Sequence, residues 1–254
     1  MRILLSNDDG IHAQGLQDLY SVLIASGHEV MAVAPGVEQS GASCSLHMRD
    51  PLRATKVEHG NFSGMAVNGT PVDCVKFALT TLYDTPPDLV ISGINAGCNM
   101  GTDVFYSGTV GAATEAALQG VPALALSRLI PELEPPLPCA LHAAELIKRI
   151  DWGQIPKNCV LNVNYPHCLV ADIRGIRICR RSLTGWLEHY VERQDPSGRP
   201  YWWISGYKKR DSGGNDTDIA ALREHYISLT PLLTDRTDYT LTKQLNAQLC
   251  PQFV

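Results

Sequence analysis

The sequence predicts an α/β fold organised on a doubly wound, mostly parallel sheet over residues 1–128. Short apolar runs at residues 3–5, 30–34, 89–91 and 123–126 are too brief for helices and read as buried strands. Stretches with apolar residues at helical spacing lie between them. Strand, helix and strand follow one another so closely that they form βαβ units, which are almost always right-handed.

The first run, Ile3-Leu4-Leu5, ends abruptly in Ser6-Asn7-Asp8-Asp9-Gly10, a strand entering a turn. Leu16, Leu19, Tyr20, Leu23 and Ile24 then recur at helical spacing, and Ser26-Gly27 supplies the stop. A second strand over 29–35 runs into a Ser- and Gly-rich loop, 36–45, that contains Gln39-Ser40-Gly41. Residues 46–69 read as an excursion with a hairpin around His59-Gly60-Asn61. Thr70-Pro71-Val72-Asp73 is a helix start: a cap, a proline at the first position and an acid in the first turn. Strand 88–92 ends in Gly93-Ile94-Asn95-Ala96-Gly97-Cys98-Asn99. Ser107-Gly108-Thr109 opens a helix of small residues that closes at Gly120, and 122–127 is another strand.

The second half is less periodic. A helix over 139–150 precedes strands at 158–164 and 173–180. Two aromatic-rich runs, 186–191 and 201–204, flank Asp195-Pro196-Ser197-Gly198, a hairpin signature. Such a hairpin either lies flat on its own domain or projects to pack on another subunit, since exposed apolar surface marks interfaces. A loop over 211–216 leads to a last helix, strand and helix. Its end, Asp216-Thr217-Asp218, matches the D-x-D pattern of metal-dependent glycosyltransferases but follows a glycine loop, so it is read as a helix cap. The expected organisation is one α/β domain over 1–254: a core over 1–128, completed by 129–254 with the hairpin at about 184–206.

A net charge of −5 argues against a nucleic-acid polymer or an anionic membrane as partner. No apolar run approaches the roughly 18 residues of a membrane span. Asn7-Asp8-Asp9 breaks the N-terminal apolar run, so no signal peptide is read. The eight cysteines, Cys250 the last, contain no C-x-x-C pair, and reduced thiols in the cytoplasm are expected.

Four polar features fall in equivalent places. Asp8 and Asp9 follow the first strand, Ser40 the second and Asn95 a later one, while Ser107-Gly108-Thr109 opens a helix. In a parallel sheet such strand ends share one edge, where ligands bind. Two carboxylates, a hydroxyl and a carboxamide are hard oxygen ligands that suit Mg²⁺ or Mn²⁺. Too few to fill an octahedron, they leave positions open for water or substrate, the mark of a working metal. The helix start offers backbone N–H groups, hydroxyl donors and a glycine that lets an anion approach, which suits phosphoryl oxygens. The plainer readings stay open beside these: a solvated Asp-Gly turn, and a helix merely capped by Ser107. No G-x-x-x-x-G-K-[ST] occurs and the first turn is not G-x-G-x-x-G, which weighs against P-loop and dinucleotide readings.

The chain resembles the SurE survival-protein family of nucleotidases. The resemblance is carried by Asn7-Asp8-Asp9-Gly10-Ile11, Gln39-Ser40-Gly41, Val67-Asn68-Gly69-Thr70-Pro71 and Ser92-Gly93-Ile94-Asn95-Ala96-Gly97-Cys98-Asn99. It continues through 106–113, Asn162-Val163-Asn164-Tyr165-Pro166, and Thr217-Asp218 leading to 228–232. These short motifs run in order across nearly the whole chain. The resemblance implies a Rossmann-like body, a C-terminal arm exchanged in oligomers, and a metal-dependent phosphatase acting on nucleoside monophosphates. By motif position it implies Asp8, Asp9, Ser40 and Asn95 as ligands of one divalent ion, and Asn99, Ser107, Gly108 and Thr109 on the phosphate. A homo-oligomer, dimer or tetramer, is expected with it.

The expected chemistry is metal-assisted attack by water, because no D-x-D-x-T nucleophile motif follows the first strand. Asp8 or Asp9 can both ligate and accept a proton, and His12 and His47 are candidate general acids. Two other classes stand beside this reading: a nucleotide sensor without turnover, and a metal-dependent sugar-nucleotide transferase. The choice between 5′ and 3′ monophosphates, and activity on short polyphosphate, is left open.

Overall fold

The computed structural model describes residues 1–129, 135–209, 211 and 213–249. Cys250, and Ser212 of the loop expected at 211–216, lie outside the described residues. Of the other cysteines, Cys44, Cys74, Cys159 and Cys179 carry free thiols.

The chain begins with β1 (Arg2–Ser6), α1 (Gln14–Ala25) and β2 (Glu29–Pro35), followed by β3 (Ala54–His59) and β4 (Phe62–Val67). Then come α2 (Pro71–Phe77), β5 (Leu89–Ala96), α3 (Gly108–Leu118), β6 (Ala123–Arg128) and α4 (Leu137–Arg149). The rest is β7 (Cys159–Tyr165), β8 (Ile176–Ile178), β9 (Trp186–Gln194), β10 (Pro200–Lys208), α5 (Asp218–Arg223), β11 (Ile227–Leu233) and α6 (Tyr239–Leu249). The main sheet has nine strands in the order β3-β4-β2-β1-β5-β6-β7-β11-β8. Only the β3–β4 and β7–β11 pairs are antiparallel. The expected α/β fold, doubly wound and mostly parallel, is therefore present.

Each central strand alternates between two apolar layers, as the pleat requires. Ile3, Leu5, Leu89, Ile91, Leu124, Leu126, Leu161 and Val163 pack with residues of α1 and α4. Leu4, Val90, Ala123, Ala125 and Val160 pack with residues of α2 and α3. Apart from Leu4 and Cys74 the second layer is built from Ala and Val, small side chains that suit a close approach of the alanine-rich α3.

Three expectations change in detail. Residues 46–53 run outside the sheet, but β3 and β4 of the expected excursion belong to it. Their hairpin forms about Gly60, but β4 pairs in parallel with β2 and becomes part of the sheet's edge. Phe62 anchors it, buried edge-on against Tyr20 of α1 with ring centroids 4.8 Å apart. The strand expected over 173–180 shortens to three residues, with an isolated bridge from Arg180 to Thr217. Asn95 lies inside β5 rather than after it, past an irregularity in the β5–β6 register between Ser92 and Asn95.

The aromatic runs form β9 and β10, a separate two-stranded sheet in register from Trp186–Lys208 to Gln194–Pro200. Trp186, Tyr190, Trp202, Trp203, Ile204 and Tyr207 are exposed on it. Helix α6 buries none of its residues. Among the described residues no helix is long and apolar enough to cross a membrane.

Candidate active site

The turn after β1 is shaped by a residue that the reading above passed over. Asn7 is fully buried; its Nδ2 donates to the Gly10 carbonyl at 2.9 Å and its Oδ1 accepts from the Gly10 N–H at 3.2 Å. The side chain thus closes a turn with Asp8 and Asp9 inside it. Gly10 itself has φ +102°, a conformation open to glycine.

Three other segments converge on this turn. From the loop after β2, the Gln39 N–H donates to the Asp8 carbonyl at 2.8 Å. From the end of β5, the Ala96 N–H donates to Asp9 Oδ2 at 3.2 Å. From the first turn of α3, Thr109 Oγ1 donates to Asp8 Oδ1 at 2.5 Å. Ser107 caps α3 by accepting from the Val110 N–H at 3.1 Å. A Cβ on Gly108 would stand 2.8 Å from Asp8 Cβ and 3.0 Å from Asp8 Oδ2, so glycine is needed for the helix start to meet that carboxylate. Asn99, buried beside them, donates from Nδ2 to Ser127 Oγ at 2.8 Å and more weakly to Thr109 Oγ1 at 3.5 Å.

The electrostatics are one-sided. Burial lifts the Asp8 carboxyl above its ordinary value of 3.8, more than the Thr109 bond lowers it. Asp9 is pushed up to about 6, first by burial and then by the charge of Asp8. Glu38, another residue not singled out in the sequence, adds negative charge to both. Among the described residues neither aspartate has a salt-bridge partner.

The remaining oxygens suit a cation. The Ser40 hydroxyl donates a hydrogen bond to Glu38 Oε1 at 2.6 Å, which leaves the lone pairs on Oγ available. Asn95 spends its Nδ2 on the Gly97 carbonyl at 2.7 Å, which leaves the carbonyl oxygen Oδ1. Among the described residues no group of three His, Cys, Asp or Glu could hold a metal ion. A cation here would need the neutral oxygens as well as the two aspartates. No hydrogen bond among the described residues ties Ser40 or Asn95 directly to Asp8 or Asp9; they reach the turn through Gln39, Glu38 and Ala96.

Among the described residues neither His12 nor His47 makes a hydrogen bond to Asp8 or Asp9. His12 is exposed, and the His47 ring lies 3.3 Å from Asp50. His47 lines a cavity of about 1030 Å³ together with Gln39, Arg49, Arg53 and Asn68. Asp216-Thr217-Asp218 is a cap, as read: Thr217 Oγ1 accepts from the Ala220 N–H at 3.1 Å.

With this geometry in view, the likeness to known proteins is informative. Residues 3–188 match the family model described as survival protein SurE. A protein of Lawsonia intracellularis named 5′-nucleotidase SurE is 47% identical over 96% of this chain and 98% of its own. One of the same name from Carboxydothermus hydrogenoformans is 44% identical over 96% and 95%. The crystal structure of the SurE protein from Aquifex aeolicus superposes with a TM-score of 0.83 at 33% identity, covering 98% of this chain and 99% of that one. The chain belongs to the survival protein SurE family.

Proposed function

We propose that the chain is a 5′-nucleotidase, a phosphoric monoester hydrolase that releases phosphate from nucleoside monophosphates with the help of one divalent cation, Mg²⁺ or Mn²⁺. Relatives of this name match it nearly end to end. The observation that carries the cation is the pair Asp8, buried, and Asp9, half-buried beside it, with Glu38 nearby and no salt-bridge partner among the described residues. Such a pair resists joint ionisation, and a divalent cation with lone-pair oxygens around it relieves that.

Asp8, Asp9, Ser40 and Asn95 would hold the ion. When bound, it supplies charge to a phosphoryl oxygen and acidifies water. The phosphate is assigned to Ser107, Gly108, Thr109 and Asn99. The α3 N-terminus turns N–H groups and the positive end of its dipole toward an anion. Of the two Asn99 amide contacts, the 3.5 Å one to Thr109 is the weaker, so that N–H is the donor ready to turn to a phosphate oxygen. Asp8 or Asp9 is assigned the further role of taking the proton from the attacking water.

The aromatic faces of β9 and β10 and the apolar side chains of α6 support a homo-oligomer, dimer or tetramer. We place the enzyme in the cytoplasm, and read 1–128 as the core that 129–254 completes.

The test is inorganic phosphate release from nucleoside 5′- and 3′-monophosphates with Mg²⁺, Mn²⁺ or EDTA. Release that needs metal and favours monophosphates over diphosphate sugars supports the reading. Nucleotide binding without release under any metal would replace it with a sensor.

A further inference from the structure

Asn162 and Asn164 stand on β7 with both polar side chains fully buried. We infer that Asn162 and Asn164 are positioning residues that fix the Asn99 main chain where its amide serves the phosphate, an inference that rests on the assignment of Asn99 made above. After β5 ends at Ala96 the chain leaves the sheet, and β7 side chains supply what a neighbouring strand otherwise would. The Asn99 N–H donates to Asn164 Oδ1 at 2.8 Å. The Asn99 carbonyl accepts from Asn162 Nδ2 at 2.8 Å and from Asn164 Nδ2 at 3.1 Å. Both asparagines are fully buried, so no water competes for these bonds.

The side chain of Asn99 is gripped from the same side of the sheet. Its amide bonds Ser127, and Ser127 pairs in register with Asn164 across β6 and β7. Main chain and side chain of residue 99 are thus tied to two adjacent strands. From there the chain of contacts runs through Thr109 to Asp8.

Asn162 makes the point most sharply. Among the described residues its Oδ1 is buried without a hydrogen-bond partner, an unfavourable state that its Nδ2 bond to Asn99 offsets. For stability alone an apolar side chain of like shape would serve as well, because the Asn99 carbonyl keeps the bond from Asn164. What the amide adds is a second fix on the position of residue 99.

The experiment is Asn162→Leu in the full chain, in wild-type and Asn99→Ala backgrounds, read by thermal unfolding and by Mn²⁺-supported hydrolysis of a nucleoside 5′-monophosphate. Asn162→Leu should hold or raise the unfolding temperature, while kcat/KM falls on the order of tenfold, because small misplacements of a binding group are costly. In the Asn99→Ala background the same change should cost less than about twofold, since the two residues act as one unit. Asn162→Ala, read in the same way, replaces the leucine if that variant does not fold. A folded variant with wild-type kcat/KM, or an equal loss in both backgrounds, would overturn the positioning role and leave Asn99 on the phosphate. Wild-type kinetics in Asn99→Ala alone would overturn the phosphate assignment, and the inference with it.

Discussion

Thr109 donates to Asp8 at 2.5 Å although 101 positions separate them, and this bond joins the proposed metal turn to the proposed phosphate nest. A hydroxyl that bonds one carboxylate oxygen fixes the direction of the other. Thr109→Val keeps the shape and deletes the bond. It should lower kcat/KM for a nucleoside monophosphate by about 10–100-fold, the usual cost of losing a group that orients a metal ligand. Thr109→Ser should recover most of the loss. Steady-state kinetics of both variants, at saturating Mn²⁺, provide the check.

Asp9→Asn removes charge without changing shape. It should lower kcat on the order of 10²-fold or more, as expected when a main electrostatic element of a site is lost. Near wild-type turnover at saturating Mn²⁺ would remove Asp9 from the mechanism.

The raised Asp9 carboxyl has a consequence for the metal-free protein. A folded-state value of about 6 against an ordinary 3.8 means that the fold prefers the protonated acid. The stability this contributes is fully present below 3.8 and is lost as pH rises through about 6. In EDTA, the unfolding temperature of the wild type should therefore fall between pH 5 and pH 7.5 relative to Asp9→Asn. A cation favours the ionised form, so the stabilisation by Mn²⁺ should grow over the same range. Calorimetry of both proteins at the two pH values measures this; identical pH profiles would contradict it.

Much of this was legible in the chain. The β1 turn was visible because an apolar run of three residues cannot make a helix and two aspartates cannot share a turn cheaply. The α2 start was visible because Thr70-Pro71-Val72-Asp73 is a local signal, and the structure holds its capping box. What stayed hidden depends on partners distant in sequence. β4 pairs with β2 and Phe62 packs on Tyr20, and nothing within 46–69 reports either partner. Glu38 looks like any loop acid until the loop folds back on Asp8. The grip of Asn162 and Asn164 on Asn99 spans 63 and 65 positions, and the motif alone shows only polar residues in a strand.

The α2 cap gives a test of local stability. Thr70 Oγ1 accepts from the Asp73 N–H at 3.1 Å, and Asp73 returns a bond to the Thr70 N–H at 2.8 Å. Thr70→Ala should cost about 1 kcal/mol. Urea unfolding reads this as a lower midpoint at unchanged slope.

The hairpin bears on assembly. Trp202 and Trp203 lie on β10 with more than half of their surface exposed, at 54% and 61%. If these faces join subunits, replacing both with Ser should lower the mass seen by light scattering at micromolar protein. An unchanged mass would locate assembly elsewhere.

The central claim is that the Asp8–Asp9 turn holds a divalent cation on which hydrolysis depends. The most direct measurement is phosphate release from a nucleoside 5′-monophosphate as Mn²⁺ is titrated into metal-free protein. Saturable recovery from a negligible rate is the predicted result, shifted to much higher Mn²⁺ or lost in Asp9→Asn. Full release in the presence of EDTA, or the same Mn²⁺ dependence in Asp9→Asn, would contradict it.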